Sequence, residues 1–360
     1  MNNPTFKKYF LPSLLLISIV FVQTFSVFPA LVEKYYSNFL FEYISKGLRI
    51  ITSKLPFSIG DLLYISIILY LIYYLVISVI RKKKWTFKQS LLNVLSVLGV
   101  FYFLFNFLWA LNYHRQPITE RLHFSTEYTS EELLAFTKIL IRKTNQLQEE
   151  ITSDKNQIVV MPYTTSEIYR LNLAGYKNLE KENSEFAYST ISVKNSIFSI
   201  PLSYMGFAGY LNPFTNEAQV NAEMPKYSIA ATASHEMAHQ IGIASESEAN
   251  FVGFLATIHN PDNYIKYSGY TMALKYCLGA LRFQNEKEFQ KTFETINPGI
   301  LKNFQESEDF WNYYSGKTDQ FFSVFYDNFL KANQQEDGLE GYSKFVDLLI
   351  GYYKTTELPY

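Results

Sequence analysis

Two histidines four residues apart, with a glutamate beside the first, stand in the segment Ser234-His235-Glu236-Met237-Ala238-His239-Gln240. On an α-helix that spacing puts both imidazoles on one face, one turn apart, where they can chelate a single zinc ion. The glutamate then reaches water bound to the same ion. The expected chemistry is hydrolysis: Glu236 acts as general base, taking a proton from zinc-bound water as it attacks a carbonyl and passing it to the leaving amine. A catalytic zinc has three protein ligands and an open position, so a third ligand is required.

Gly242 lies three residues past His239 and can adopt positive φ, which ends the helix there. A second helical stretch opens at Ser245-Glu246-Ser247-Glu248-Ala249-Asn250, so the chain turns back at once. Ser245 and Glu248 have the spacing of a capping box, which gives Glu248 a structural task at its own helix start. Glu246 has no such task and is the expected third ligand, with Glu248 the alternative. Asn250 falls on the same helical face as Glu246, where it suits a bond to the free ring nitrogen of a ligand histidine. Tyr210 and Asn212 are candidate oxyanion donors by their place in the chain. His259, at the end of the second helix, fits a helix C-terminus better than a catalytic role.

The run Glu246-x-x-Ala249-Asn250 resembles the E-x-x-A-D element that supplies the third ligand in membrane gluzincin peptidases of the CAAX-protease and heat-shock-protease type. Here Asn stands in place of Asp, and the glutamate follows within seven residues of His239. His239-x-x-Gly242 resembles the glycine turn of metzincins, except that Ser245 occupies the position of their third histidine. A closer resemblance is to a family of uncharacterised bacterial membrane proteins, a domain of unknown function. It runs through Gly206-Phe207-Ala208-Gly209-Tyr210-Leu211-Asn212-Pro213-Phe214-Thr215, Glu217 to Asn221, the His-Glu motif, and Glu246 to Ala256. That resemblance covers most of the chain; it implies a zinc peptidase and names no substrate.

Hydrophobic residues make up 48% of the 360 residues and charged ones only 18%, which is more apolar than an average soluble protein. The excess is localised in three charge-free runs, at about 10–32, 62–80 and 91–111, each long enough to cross a bilayer core. A cleaved signal peptide is the alternative for the first, because Lys7 and Lys8 precede it. Arg81, Lys82, Lys83, Lys84 and Lys88 in the short second link mark the cytoplasmic side. Three spans then carry everything after Leu111 to the far side, so the expected location is a bacterial cytoplasmic (inner) membrane with a periplasmic C-terminal domain. Residues 33–57 read as an amphipathic helix at the outer interface.

The expected domains are a membrane anchor, 1–111, and an extracytoplasmic zincin-like metallopeptidase domain, 112–360. Thr129-x-x-Glu132 opens an amphipathic helix to Ile151; short β-rich runs follow at Ile158 to Met161 and Ile191 to Ile200. Gly206 to Leu211 and Glu217 to Val220, joined by Asn212-Pro213-Phe214-Thr215-Asn216, read with them as a small sheet built as a hairpin or meander. In zincins the last strand before the metal helix is an edge to which an extended peptide adds, and Gly206 to Asn221 occupies that position along the chain. The aromatic stripe Phe321, Phe322, Phe325, Phe329 and Leu330 is expected in the core. The fold class is therefore mostly α with a small β-sheet (α+β, zincin-like), following three transmembrane helices.

One buried-type cysteine, Cys277, forms no internal disulfide, and a net charge of −1 argues against nucleic acid as partner. The predicted cofactor is one zinc ion, held by His235, His239 and Glu246, and the predicted partners are the bilayer and a peptide or envelope protein substrate. The alternative is a non-catalytic membrane sensor or scaffold that keeps the fold.

Overall fold

The computed structural model describes residues 4–81, 86–333, 342–356 and 358. They fall into two compact units, one of Met1–Gln116 with Asn212–Glu217 and one of Pro117–Leu211 with Ala218–Tyr360.

The first unit contains helices α1 (Pro4–Ser26), α2 (Phe41–Thr52), α3 (Ile59–Ile80) and α4 (Phe87–Leu108). Of these, α1, α3 and α4 carry stretches long and apolar enough to cross a membrane: Tyr9–Ser26, Ile59–Ile80 and Phe87–Leu108. The first ends at Ser26 and not at Val32, because Phe28 leaves helical geometry before Pro29, which has no N–H to continue the ladder. The third stops at Leu108, and the chain tightens into a buried turn, Ala110–His114. Helices α1 and α4 cross tightly at Gly99, where a Cβ would lie 2.8 Å from the Leu11 carbonyl oxygen. The N-terminus of α3 is capped twice: Asp61 N bonds Ser58 Oγ, and the Glu217 carboxylate accepts from Ile59 N and Gly60 N. Phe214, in the same turn as Glu217, packs on Phe101 of α4 with ring centroids 5.4 Å apart.

The link expected as one amphipathic helix is two segments, a π-helical stretch Val32–Leu40 and α2. Tyr43 and Ile51 face outward while Ser45, Arg49 and Thr52 are buried. An apolar outer face with polar residues turned inward suits a helix in contact with lipid. The basic link residues 82–84 lie outside the described residues.

The second unit begins its long helices with α5 (Ser130–Thr152), started by the Thr129/Glu132 capping box, and α6 (Thr165–Glu182). Its sheet has three short strands, β1 (Val193–Asn195), β2 (Gly209–Asn212) and β3 (Glu217–Val220), in the order β1-β3-β2. β1 runs parallel to β3, with Val193 opposite Ala218, and β2 and β3 form the hairpin. β3 is thus central and fully buried, and β2, within the segment Gly206 to Asn221 expected to carry the edge, is the edge strand. Two expected strands are shorter or missing. Asn303 occupies the place of a strand partner for residues 158–161, bonding both Val159 N and Val159 O. Ser196 ends β1 by accepting from Phe198 N and Ser199 Oγ, and the chain enters α7 (Ser199–Met205).

After the sheet come α8 (Lys226–Gln240), α9 (Glu246–Ile258) and α10 (Asn263–Gln284), which pack on one another, with α5 and α6 around them. Met237, Phe251, Phe254, Tyr267 and Leu274 are buried at their junction. The chain ends with α11 (Glu286–Phe293), α12 (Pro298–Tyr314), α13 (Lys317–Ala332) and α14 (Tyr342–Tyr353). On α13 the aromatic stripe is not core: only Leu330 is fully buried, while Phe321 is 65% and Phe325 58% exposed. This helix touches α7 along one side and leaves the other open.

Candidate metal centre

Helix α8 is held by its neighbours at both ends and in the middle. Asn172 Nδ2 and Tyr176 Oη from α6 donate to Ala230 O and Ser234 O, the latter at 2.6 Å. Gln240, near its end, accepts from Tyr188 Oη and donates to Ser192 O. Helix α9 lies so close that a Cβ on Gly253 would be 2.8 Å from His235 N, so glycine is required for this approach. Between the two helices Gly242 takes φ +86°, with Gly242 N bonded to His239 O and Ile243 N to Ala238 O. That cap reverses the chain within a few residues and delivers the first turn of α9 to the histidine face of α8.

There Glu246 meets both imidazoles. His235 Nε2 lies 3.2 Å from Glu246 Oε2 and His239 Nε2 3.6 Å from Oε1. One ligand atom from each of the three residues falls within 4.8 Å of the others. Four ligands about 2.0–2.1 Å from a tetrahedral zinc are separated from one another by about 3.3 Å, so these spacings fit such an ion. The opposite ring nitrogens are occupied: His235 Nδ1 is 2.9 Å from Asn250 Oδ1, and His239 Nδ1 is 2.6 Å from Ile243 O. Both acceptors suit a proton on Nδ1, which in the neutral imidazole leaves the Nε2 lone pair for a metal ion. The turn that reverses the chain therefore also orients the second histidine.

The charges are coupled. Burial works against an ionised Glu246, yet His239 and His235 outweigh it and hold the carboxyl well below its usual range. Burial likewise disfavours a protonated His239, and Glu246 reverses this. Glu236 is buried, and burial, reinforced by Glu246 and opposed by the histidines, pushes its carboxyl up to about 7. Its Oε2 is buried and has no hydrogen-bond partner among the described residues. Gly209 on edge strand β2 makes room for Glu236, since a Cβ there would lie 2.7 Å from Glu236 Oε1 and 2.8 Å from Gln219 O.

Glu248 is placed elsewhere. Its carboxylate accepts from Ile118 N at 2.8 Å and pairs with Arg121 at 3.1 Å, and Arg121 also pairs with Glu185. The Ser245–Glu248 capping box is not formed; Ser245 makes no side-chain cap bond. Glu248 instead caps a single helical turn, Ile118–Arg121, far away in sequence. Asn212 Oδ1 accepts from Phe214 N and Thr215 N, which commits it to shaping the hairpin turn. Tyr210 follows Gly209 on β2, and strand alternation turns it to the other face of the sheet from Glu236. His259 bonds Leu255 O and pairs with Glu182, the cap arrangement expected of it.

Sequence reasoning missed the residue that closes this cluster from outside. Tyr326 Oη, on α13, donates to Glu246 Oε1 at 2.6 Å. It lies 80 residues beyond Glu246 and belongs to no local motif. Its one advance signal was its position among the phenylalanines of α13, which reads as packing. Phe207, just before β2, meets the Tyr326 ring edge-on at 5.2 Å.

A family profile described as "Protein of unknown function (DUF3810)" matches residues 36–350 of the chain. No curated protein and no solved structure matches it.

Proposed function

The chain belongs to the DUF3810 family, and we propose that it is a membrane-anchored, zincin-like zinc metallopeptidase acting on the extracytoplasmic face of a bacterial cytoplasmic membrane. The observation that carries this reading is the convergence of His235, His239 and Glu246, with both outer ring nitrogens already engaged and a buried, partly unpartnered Glu236 beside them.

In this reading His235, His239 and Glu246 hold one zinc ion, and Asn250 and the Ile243 carbonyl fix the two rings. The bound ion supplies Lewis acidity, polarising a carbonyl and making water more acidic. Glu236 accepts the proton of the attacking water as its oxygen bonds to the peptide carbonyl carbon. It then gives that proton to the amine nitrogen as the C–N bond breaks. Tyr326 Oη has one proton, bonded to Glu246 Oε1 in the structure, and would have to turn it from that carboxylate to the oxygen that gathers negative charge in order to act as its donor.

The test uses the full chain in lipid nanodiscs with a quenched fluorescent peptide mixture. Zinc-loaded protein is expected to cleave, to stop when chelated and to recover on adding zinc, while Glu236→Gln binds zinc and loses on the order of a thousandfold in rate, since base and proton carrier both go. Equal cleavage by Glu236→Gln and wild type would refute the assignment.

A further inference from the structure

The metal centre is flanked by an aromatic wall that neither the ligands nor the base require. Phe207 stands at its inner end, in edge contact with Tyr326 at 5.2 Å and with Phe322 at 6.5 Å. Tyr326 bonds ligand Glu246, so the wall begins at the metal cluster itself. From Phe322 it continues to Phe321 and Phe325, with centroids 5.4 and 6.5 Å away. Helix α7 packs beside α13 and exposes Ile200 and Tyr204, the latter with its ring against Tyr314 of α12. Phe321, Val324, Phe325 and Ile200 are each more than half exposed. Most other large apolar side chains of the second unit are buried, so this is a concentrated apolar surface and not scattered single residues.

Phe207 is also the link to β2. Two residues later Gly209 lies against Glu236, and β2 has no strand on its outer side among the described residues. An extended polypeptide added along that edge would receive main-chain bonds there, and alternate side chains would point to one face. A lipid tail would gain nothing from a strand edge, which favours polypeptide as the occupant.

We propose, resting on the metallopeptidase reading above, that the substrates are apolar polypeptide segments. They bind extended along β2 with a large aromatic or aliphatic side chain beside the cleaved bond, seated on Phe207 and Phe322. Burying one such side chain contributes about 1.5–3 kcal/mol, which corresponds to roughly a 10–150-fold preference over a side chain that stays in water.

The experiment measures binding, so it does not depend on turnover. Three peptidyl hydroxamates with one backbone, carrying Phe, Leu or Glu next to the zinc-binding group, are titrated into the zinc-loaded full chain in nanodiscs. The Phe and Leu probes are expected to bind at least tenfold more tightly than the Glu probe. Phe322→Ala should reduce that ratio to under threefold with zinc content unchanged, and Phe322→Leu should keep the ratio. Equal binding of all three probes overturns the substrate class and leaves the metal centre standing. A preference that survives Phe322→Ala and Phe207→Ala alike places the apolar subsite elsewhere and overturns the wall. Absence of zinc from folded wild-type protein is a different result, which overturns the reading on which this one rests.

Discussion

The two sides of the proposed metal centre are built in opposite ways. The inner side comes from residues close in sequence: α8, the Gly242 turn and the first turns of α9, closed by Gly209 and Gly253, where a Cβ would come within 2.8 Å of another atom. The outer side comes from α13, joined to the cluster by one hydrogen bond from Tyr326 and a few ring contacts, with exposed phenylalanines behind. Close backbone packing fixes ligand geometry to a fraction of an ångström, and it tolerates little change. A wall held by one hydrogen bond and aromatic edges can vary without disturbing the ligands. Metal retention should therefore respond to inner-side changes, and selectivity and rate to outer-side ones.

The largest expected effect is on the inner side. Gly253→Val forces a side chain into the backbone of His235, and overpacking of this kind costs about 3 kcal/mol or more. Thermal unfolding should show a clearly lower midpoint together with loss of zinc. A Gly253→Val protein with unchanged midpoint and full zinc would show that the helices do not approach this closely.

Glu248→Gln is next. It keeps the side-chain shape but removes the charge that pairs with Arg121, a buried guanidinium that also meets Glu185. Destabilisation of about 2–3 kcal/mol is expected, because breaking a buried pair leaves the partner charge under-compensated. Zinc content should stay at the wild-type level. Loss of zinc with little loss of stability would return Glu248 to the role of third ligand.

Asn250→Ala removes the acceptor at His235 Nδ1, 2.9 Å away, and leaves all three ligands. Outer-sphere partners of this sort are worth 10–100-fold in metal affinity, which competition with a chromophoric chelator will read. Tyr326→Phe should have the smallest effect on the metal, under threefold in affinity. Its effect should fall on kcat, about 10²-fold, with KM nearly constant, as for the loss of one oxyanion donor. A fall in zinc affinity with no change in kcat would make Tyr326 a prop for Glu246 only.

The same contrast describes what the amino-acid sequence makes legible. His235, Glu236, His239, Glu246 and Asn250 sit within a helix–turn–helix, and helical periodicity plus one glycine turn suffices to bring them together. The three apolar helices are legible because length and absence of charge are local properties. Glu248 is misread for an instructive reason. The S-x-x-E spacing is genuine, but Ile118 N and Arg121 offer the carboxylate a charged and buried partnership, which outcompetes a neutral cap. The order of strands is illegible because β1 reaches β3 through a crossover, and local pattern does not say which strand lies in the middle. Tyr326 is hidden for the most general reason: its role depends on a contact made 80 residues away.

Zinc content tests the account's central claim most directly. Elemental analysis of the folded full chain in nanodiscs, reconstituted with zinc and dialysed, should give one zinc per chain for wild type and for Glu236→Gln. His239→Ala and Glu246→Ala should retain almost none while Glu248→Gln remains full. Wild-type protein that is folded and still holds no zinc, or an Glu246→Ala variant that holds as much as wild type, would contradict the assignment of His235, His239 and Glu246 as a metal centre.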